Sequence, residues 1–330
     1  MKSDKKKLSC RISRAEIEAS MSDNLLELHE LRVFLVAAET ENFSETGRIL
    51  QISQPAVSGV IQSLEQRLET RLFDRVGRNI KLNEMGEALV PLARRLLKDA
   101  EQLQDFVAQH RGTVVGQLLL GCSTAGGRYI LPKLMARFLA TYPKAQIICD
   151  VGPRGQALER LCEGKIDLAV SSLRVPRKSV EYRHFADDRL ILIVPPGHPW
   201  AQRESLRPEE LPEQPLVLRE PSSGTTIAFN SALAQFEMSV EMLQVRLTLG
   251  STESIVRAVI EGVGGGIVSQ VAADPALQQG QVVHVPLEGM TLVQHLYMAR
   301  HTQFRASHLQ TLFWDFAFAP ENEDVRQLLT

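Results

Sequence analysis

From Thr113 onward the chain alternates short apolar runs with amphipathic stretches, and this alternation constrains the fold more than any other feature. The runs QLLLGC, QIICDV, DLAVSS, RLILIV, PLVLR, GGGIVS and TLVQHLYMA have the length and texture of buried strands. Between them, 131–141, 156–163, 225–236, 253–261 and 305–316 carry apolar residues at helical spacing. The pattern predicts an α/β architecture, a parallel sheet with helices on both faces. The stretch is longer than one such sheet needs. Turn-forming clusters at Pro195-Pro196-Gly197 and Glu288-Gly289 suggest two lobes, lobe I over about 113–187 and 291–330 and lobe II over about 188–290.

The first third reads differently. Leu28, Leu31, Leu35 and Ala38 step at helical period, Asn42-Phe43-Ser44 interrupts it, and Ser44 is positioned to cap a second helix. Ser53 caps a third, with Pro55 in the first turn, where a missing N–H costs nothing. Val57, Val60, Ile61, Leu64 and Leu68 make its apolar stripe, and LFDRVGRNIKL then reads as two short strands around a turn. Asn83 can cap a long helix over 84–111, ended by Gly112. Leu92, Leu96, Ala100, Leu103 and Val107 give that helix one apolar face, which calls for a partner helix from a second copy of the chain. Residues 1–27 are polar without a sustained apolar period and are expected to be disordered, with Met21 a candidate start site.

Composition removes several classes. At 330 residues the chain suits about two domains. No apolar run approaches a membrane span, and no apolar stretch follows the basic N-terminus, so a cytoplasmic protein without a membrane role is expected. Cys10, Cys122, Cys149 and Cys162 lack zinc-ligand spacing, so no metal or cofactor is expected. A redox pair of Cys122 with Cys149, on neighbouring strands, is weighed against reduced core thiols, and the latter reading is preferred. No HExxH, GxSxG or Walker motif appears, and no nucleophile–base set stands out, so the chain is not read as an enzyme.

A net charge of −2 gives no global sign of nucleic-acid binding. Locally it differs: over 46–82, Arg48, Arg67, Arg71, Arg75, Arg78 and Lys81 outnumber Glu65, Glu69 and Asp74. Three short helices and a β-wing make a winged helix-turn-helix. Its third helix presents Gln54, Ser58 and Gln62, side chains suited to base edges, while Arg75, Arg78 and Lys81 are set to neutralise phosphates. A solvated polar face would show the same spacing.

The segment from Leu28 to Gly86 resembles the N-terminal domain of LysR-type transcriptional regulators. Phe34, Glu39, Phe43-Ser44, Leu50, the run Ser53-Gln54-Pro55-Ala56-Val57-Ser58, Ile61, Leu64-Glu65, Leu72-Phe73, Arg75, Leu82 and Gly86 carry the likeness. It implies an α+β multi-domain protein: an extension (1–27), a winged helix-turn-helix (28–83), a linker and dimerisation helix (84–112) and a periplasmic-binding-protein-like effector domain of two lobes (113–330). By position it puts Gln54, Pro55 and Ser58 near the bases and Arg78 at a phosphate on the wing; Ser44, Ser53, Gln62, Arg75 and Lys81 complete the candidate DNA contacts. There are departures. The family usually has Ala-Ala at Thr46-Gly47, where glycine inside a helix costs about 1 kcal/mol against alanine. It also usually has a longer polar side chain at Gly59.

In open α/β sheets small ligands sit beyond the carboxyl ends of strands, against helix N-termini that favour anions. Four segments qualify: Ser123-Thr124, Ser171-Ser172, the run from Glu220 through Ser222-Ser223 to Thr225, and Ser251-Thr252. Any one of them is more simply an N-cap; four converging favour a site for a small polar or anionic effector. The resemblance also implies ligand contacts at Ser123, Ser172 and Ser223, a homodimer or homotetramer on double-stranded promoter DNA, and RNA polymerase as a candidate partner. The alternative is a DNA-binding regulator with no small-molecule effector.

Overall fold

The structure, a computed structural model, describes residues 26–76, 79–109, 114–123 and 126–327. Residues 1–25, Arg78, Gly112 and Thr124, for which the sequence raises expectations, lie outside them. The chain divides after Glu101 into two compact units.

The first unit contains helices α1 (Leu28–Thr40), α2 (Phe43–Leu50) and α3 (Gln54–Arg67), strands β1 (Phe73–Val76) and β2 (Asn79–Leu82), and most of helix α4 (Glu84–Gln109). Leu31, Phe34, Val57, Ile61, Leu64, Leu72 and Phe73 form its core, so the stripe read on α3 does face inward. Asn42, not Ser44, caps α2: its Oδ1 accepts from the N–H groups of Ser44 and Glu45 at 2.9 and 3.1 Å. Asn42 has the extended backbone a cap requires, whereas Ser44 is already inside the helix. Gly47 has a packing role beside its helix-propensity cost: a Cβ there would lie 2.6 Å from the Ile52 carbonyl, so with alanine the α2–α3 turn would have to shift. Glu65 Oε1 accepts from the N–H groups of Leu72 and Phe73 at 2.7 and 3.3 Å, which fastens the wing to α3.

The second unit holds one mixed sheet. Its strands are β3 (Gly116–Ser123), β4 (Ala145–Gly152), β5 (Leu168–Ser171), β6 (Val180–Val194), β7 (Leu216–Arg219), β8 (Val245–Leu249), β9 (Gly265–Ser269), β10 (Val283–Val285) and β11 (Val293–His301). Their order is β4-β3-β5-β11-β6-β9-β7-β8, with β10 beside β6. Among the helices, α5 (Leu131–Thr141) and α6 (Arg154–Cys162) flank the β3 side, and α7 (Gly224–Leu233), α8 (Thr252–Ile260) and α9 (Gln270–Gln278) the β7 side. Helices α10 (His308–Phe318) and α11 (Glu323–Arg326) close the chain.

Three expectations change. The sheet is not wholly parallel: β3 pairs in parallel with β4 and β5, and β7 with β8 and β9, but β6 and β11 run antiparallel to their neighbours. Of the two turn clusters, Glu288-Gly289 lies just ahead of β11, but Pro195-Pro196-Gly197 does not mark the first crossing between the lobes. The change occurs inside β6, which pairs with β11 through Arg189 and with β9 from Leu190. The last long helix starts at His308 rather than Arg305, because Ser307 Oγ accepts from Gln310 N–H at 3.0 Å. Helix α9, with Pro275 inside it, left no clear periodic signal in the sequence. Separate apolar clusters line the two faces of each half-sheet, as helices on both faces require. Among the described residues no helix is long and apolar enough to cross a membrane.

Candidate DNA interface and effector cleft

Helix α3 begins at a Ser53 cap whose Oγ accepts from Ala56 N–H at 3.3 Å. Ser53, Gln54, Pro55 and Gln62 are exposed and Ser58 is half-buried; Ser53 Oγ is engaged in the cap, and the side chains of Gln54 and Gln62 face solvent. Gly59 meets nothing within 4 Å of a built Cβ, so its missing side chain leaves open space on that helix. Ser44 is exposed at the start of α2. On the wing, Arg75 and Lys81 are exposed, but Asp74 lies directly across from Lys81 and offsets its charge. Gly86 permits the close approach of α4 to the wing, since a Cβ would sit 2.3 Å from the Leu72 carbonyl.

In the second unit the candidate hydroxyls follow the carboxyl ends of β3, β5, β7 and β8, where the sequence expects them. They are not equivalent. Ser171 Oγ donates to the Arg154 carbonyl at 2.9 Å and accepts from Leu173 N–H at 3.1 Å, so it holds a turn. Ser223 caps α7 and donates to Thr226 Oγ1 at 3.0 Å; Ser251 caps α8 and donates to Glu253 Oε2 at 2.8 Å. Ser222 is exposed. The Oγ atoms of Ser123 and Ser172 are buried, and among the described residues neither has a hydrogen-bond partner. Buried hydroxyls are normally satisfied, so these two at adjacent strand ends stand out.

The opposite wall carries groups that the sequence reading passed over. Arg219 is 8% exposed; it donates twice to Glu220 at 2.8 Å and once to Thr252 Oγ1 at 3.1 Å. Glu220 is therefore engaged by Arg219 rather than aimed at a ligand. Gln294, buried on β11, accepts from Thr225 Oγ1 at 3.4 Å. A Cβ on Gly224 would collide with both Ser172 Oγ and the Gln294 amide, so glycine lets the N-terminus of α7 approach the orphan hydroxyl. Asp188 faces Gln294 across the strands; burial pushes its carboxyl up to about 7, against the opposing bond from Ser269. A polar residue in a largely apolar strand run was the available signal for Gln294; Asp188, between Asp187 and Arg189, carried none.

Tyr129 and Arg128, just ahead of α5, both reach Glu253 on α8. The Tyr129 hydroxyl donates at 2.8 Å, and Arg128 forms an ion pair. Burial raises the Glu253 pKa, but its own backbone N–H, Ser251, Arg128 and Tyr129 outweigh that and bring it to about 2. Cys122 and Cys149 lie on β3 and β4 with sulfurs 3.5 Å apart, as separate thiols. His198 Nδ1 accepts from Trp200 N–H at 3.2 Å and so holds a turn.

Residues 28–87 match the family model described as bacterial regulatory helix-turn-helix protein, lysR family, and residues 111–319 match the LysR substrate binding domain. The chain belongs to the LysR family. It is a DNA-binding transcriptional regulator and not an enzyme. The HTH-type transcriptional activator CmpR of Synechocystis is 29% identical over 292 residues, 88% of this chain and 95% of CmpR. Among solved structures, a full-length OxyR from Pseudomonas aeruginosa has a similar fold, with a TM-score of 0.68 at 19% identity, covering 92% of this chain and 95% of that one. The regulatory domain of Synechocystis CcmR, solved in complex with 2-PG, has a TM-score of 0.54 at 24% identity, covering 61% of this chain and 95% of that domain. As a LysR-family regulator, the chain couples a DNA-binding domain to an effector-binding one.

Proposed function

We propose that this regulator binds a small anionic metabolite in the cleft between lobes I and II, and that the ligand alters its grip on promoter DNA. The observation that carries this reading is the pair of buried, unpartnered hydroxyls of Ser123 and Ser172. The N-terminus of α7, opened by Gly224, adds free N–H groups and a favourable field for negative charge. The CcmR domain in complex with 2-PG supports an anion of that size. Ser123, Thr124, Ser172, Ser223, Thr225 and Thr252 contribute the ligand's surroundings, while Ser171, Glu220 and Ser251 hold the loops that carry them. Ser222 stands at the rim.

On the DNA side, Gln54, Pro55, Ser58 and Gln62 read base edges, and Ser44, Ser53, Arg75, Arg78 and Lys81 contact the backbone. Exposed Leu92, Leu96 and Leu103 on α4 support a homodimer, and exposed Ile148 and Val151 on edge strand β4 support its pairing into a homotetramer. In this reading residues 28–83, 84–112 and 113–330 are the DNA-binding, linker and effector segments, 1–27 is an extension, and the protein works in the cytoplasm beside RNA polymerase. A ligand shifts DNA binding only by favouring one arrangement of the protein over another.

The test is a thermal-shift screen of the full chain against small phosphorylated and carboxylated anions, starting with 2-PG. A ligand at ~100 times its Kd adds about 2.7 kcal/mol. We expect one anion to raise the melting temperature and Ser172→Ala to weaken it about tenfold. If no anion shifts the wild type, DNA binding without a small-molecule effector becomes the better reading.

A further inference from the structure

The two strands that cross between the lobes carry a second constellation on the face away from the cleft. His184 and Asp187 lie on β6 and His295 on β11. His184 Nε2 is 2.7 Å and His295 Nδ1 2.6 Å from the same Asp187 oxygen. One donor atom from each of the three residues falls within 4.8 Å of the others. The neighbouring residues Asp188 and Gln294 are buried, whereas His184 and His295 are exposed and Asp187 is half-buried. Alternation along a strand accounts for this opposition of faces.

A β-bulge builds the cluster. Residues three apart on a regular strand point to opposite faces, so His184 and Asp187 should not meet. The register runs Asp187↔His295, Ala186↔Leu296 and then His184↔Tyr297, leaving Phe185 as the extra residue on β6. That single insertion returns His184 to the side that carries Asp187 and His295. Sequence spacing gave no hint of a metal, because Asp187 and His295 are 108 residues apart.

We propose that His184, Asp187 and His295 form a site for a divalent transition metal ion, with zinc as the best-matched ion. Two imidazole nitrogens and one carboxylate oxygen, completed by water, are a ligand set that zinc accepts. Zinc at about 2.0–2.2 Å from each donor needs donors about 3.3 Å apart. Exposed side chains reach that spacing by moving less than about 1 Å at each histidine–carboxylate contact. The ion would displace the protons now shared between each ring nitrogen and Asp187, and would tie β6 to β11 where the chain passes between lobes. The site does not depend on what the cleft binds.

The test uses full-length protein stripped with chelator, loaded with zinc, desalted and analysed for metal, alongside cobalt titration read by visible absorption. The wild type should retain one zinc per chain, give the intense visible bands of four-coordinate cobalt, and melt about 5–10 °C higher with saturating zinc. His184→Asn and His295→Asn should each lose the retained zinc and the cobalt bands, while melting as the wild type does without metal. A wild type that retains no zinc, or a His184→Asn/His295→Asn double variant that still retains one equivalent, overturns the proposal. The first result leaves a hydrogen-bonded His–Asp–His cluster only; the second puts the metal elsewhere.

Discussion

The two lobes build the same feature, hydroxyls at the carboxyl ends of strands, and use it differently. In lobe II, Ser223 and Ser251 are spent on capping α7 and α8, and a buried cation, Arg219, organises the loops. In lobe I, Ser123 and Ser172 are buried and unspent. The contrast separates roles that the sequence cannot: a hydroxyl holding a helix end is scaffold, and a buried one without a partner among the described residues is free to take one. In the proposed reading, lobe II is the pre-built wall and lobe I the wall that a ligand completes.

The sharpest way to break that comparison is to remove Arg219. Arg219→Met leaves Thr252 without its donor and Glu220 without its partner, and we expect about 3 kcal/mol of lost stability by chemical denaturation. A loss below about 1 kcal/mol would mean that Arg219 is poised for the ligand rather than organising its own lobe. A pair of neighbours gives the next test. Ser171→Ala strips the Arg154 carbonyl and the Leu173 N–H of their partners and should cost about 2 kcal/mol. Ser172→Ala removes an unsatisfied hydroxyl and should leave the metal-free, ligand-free melting temperature unchanged or slightly higher. Equal destabilisation by the two would erase the distinction between spent and free hydroxyls.

Much of this was legible because it is local. The α3 stripe, the Ser53 cap and the strand runs are short-range patterns, and Ser123 and Ser172 follow from reading strand ends. What stayed hidden is set by pairing. The sequence does not say that β6 is long enough to serve both lobes, so the turn cluster at Pro195 looked like a boundary. Nor does it show the packing role of Gly47, since the obstructing Ile52 carbonyl comes from the following turn. The cluster of His184, Asp187 and His295 depends on a one-residue bulge, which no period-two pattern reveals.

The smallest effect concerns the contact that joins the lobes. Glu253 on lobe II accepts from Tyr129 and pairs with Arg128 on lobe I. Its carboxyl sits at about 2, below the ordinary 4.5, despite the burial that opposes ionisation. A depressed carboxylate contributes stability above its unfolded value and loses it as pH falls through the folded one, here between about 4.5 and 2. Because the pair is partly exposed, solvent screening limits it to about 0.5–1 kcal/mol. We expect the wild type to melt slightly above Glu253→Gln at pH 6, and the gap to narrow by pH 3. Tyr129→Phe should reproduce part of the difference by removing one of the bonds that hold the carboxylate ionised. If the gap instead stays constant across this range, Glu253 contributes packing rather than charge to the contact between the lobes.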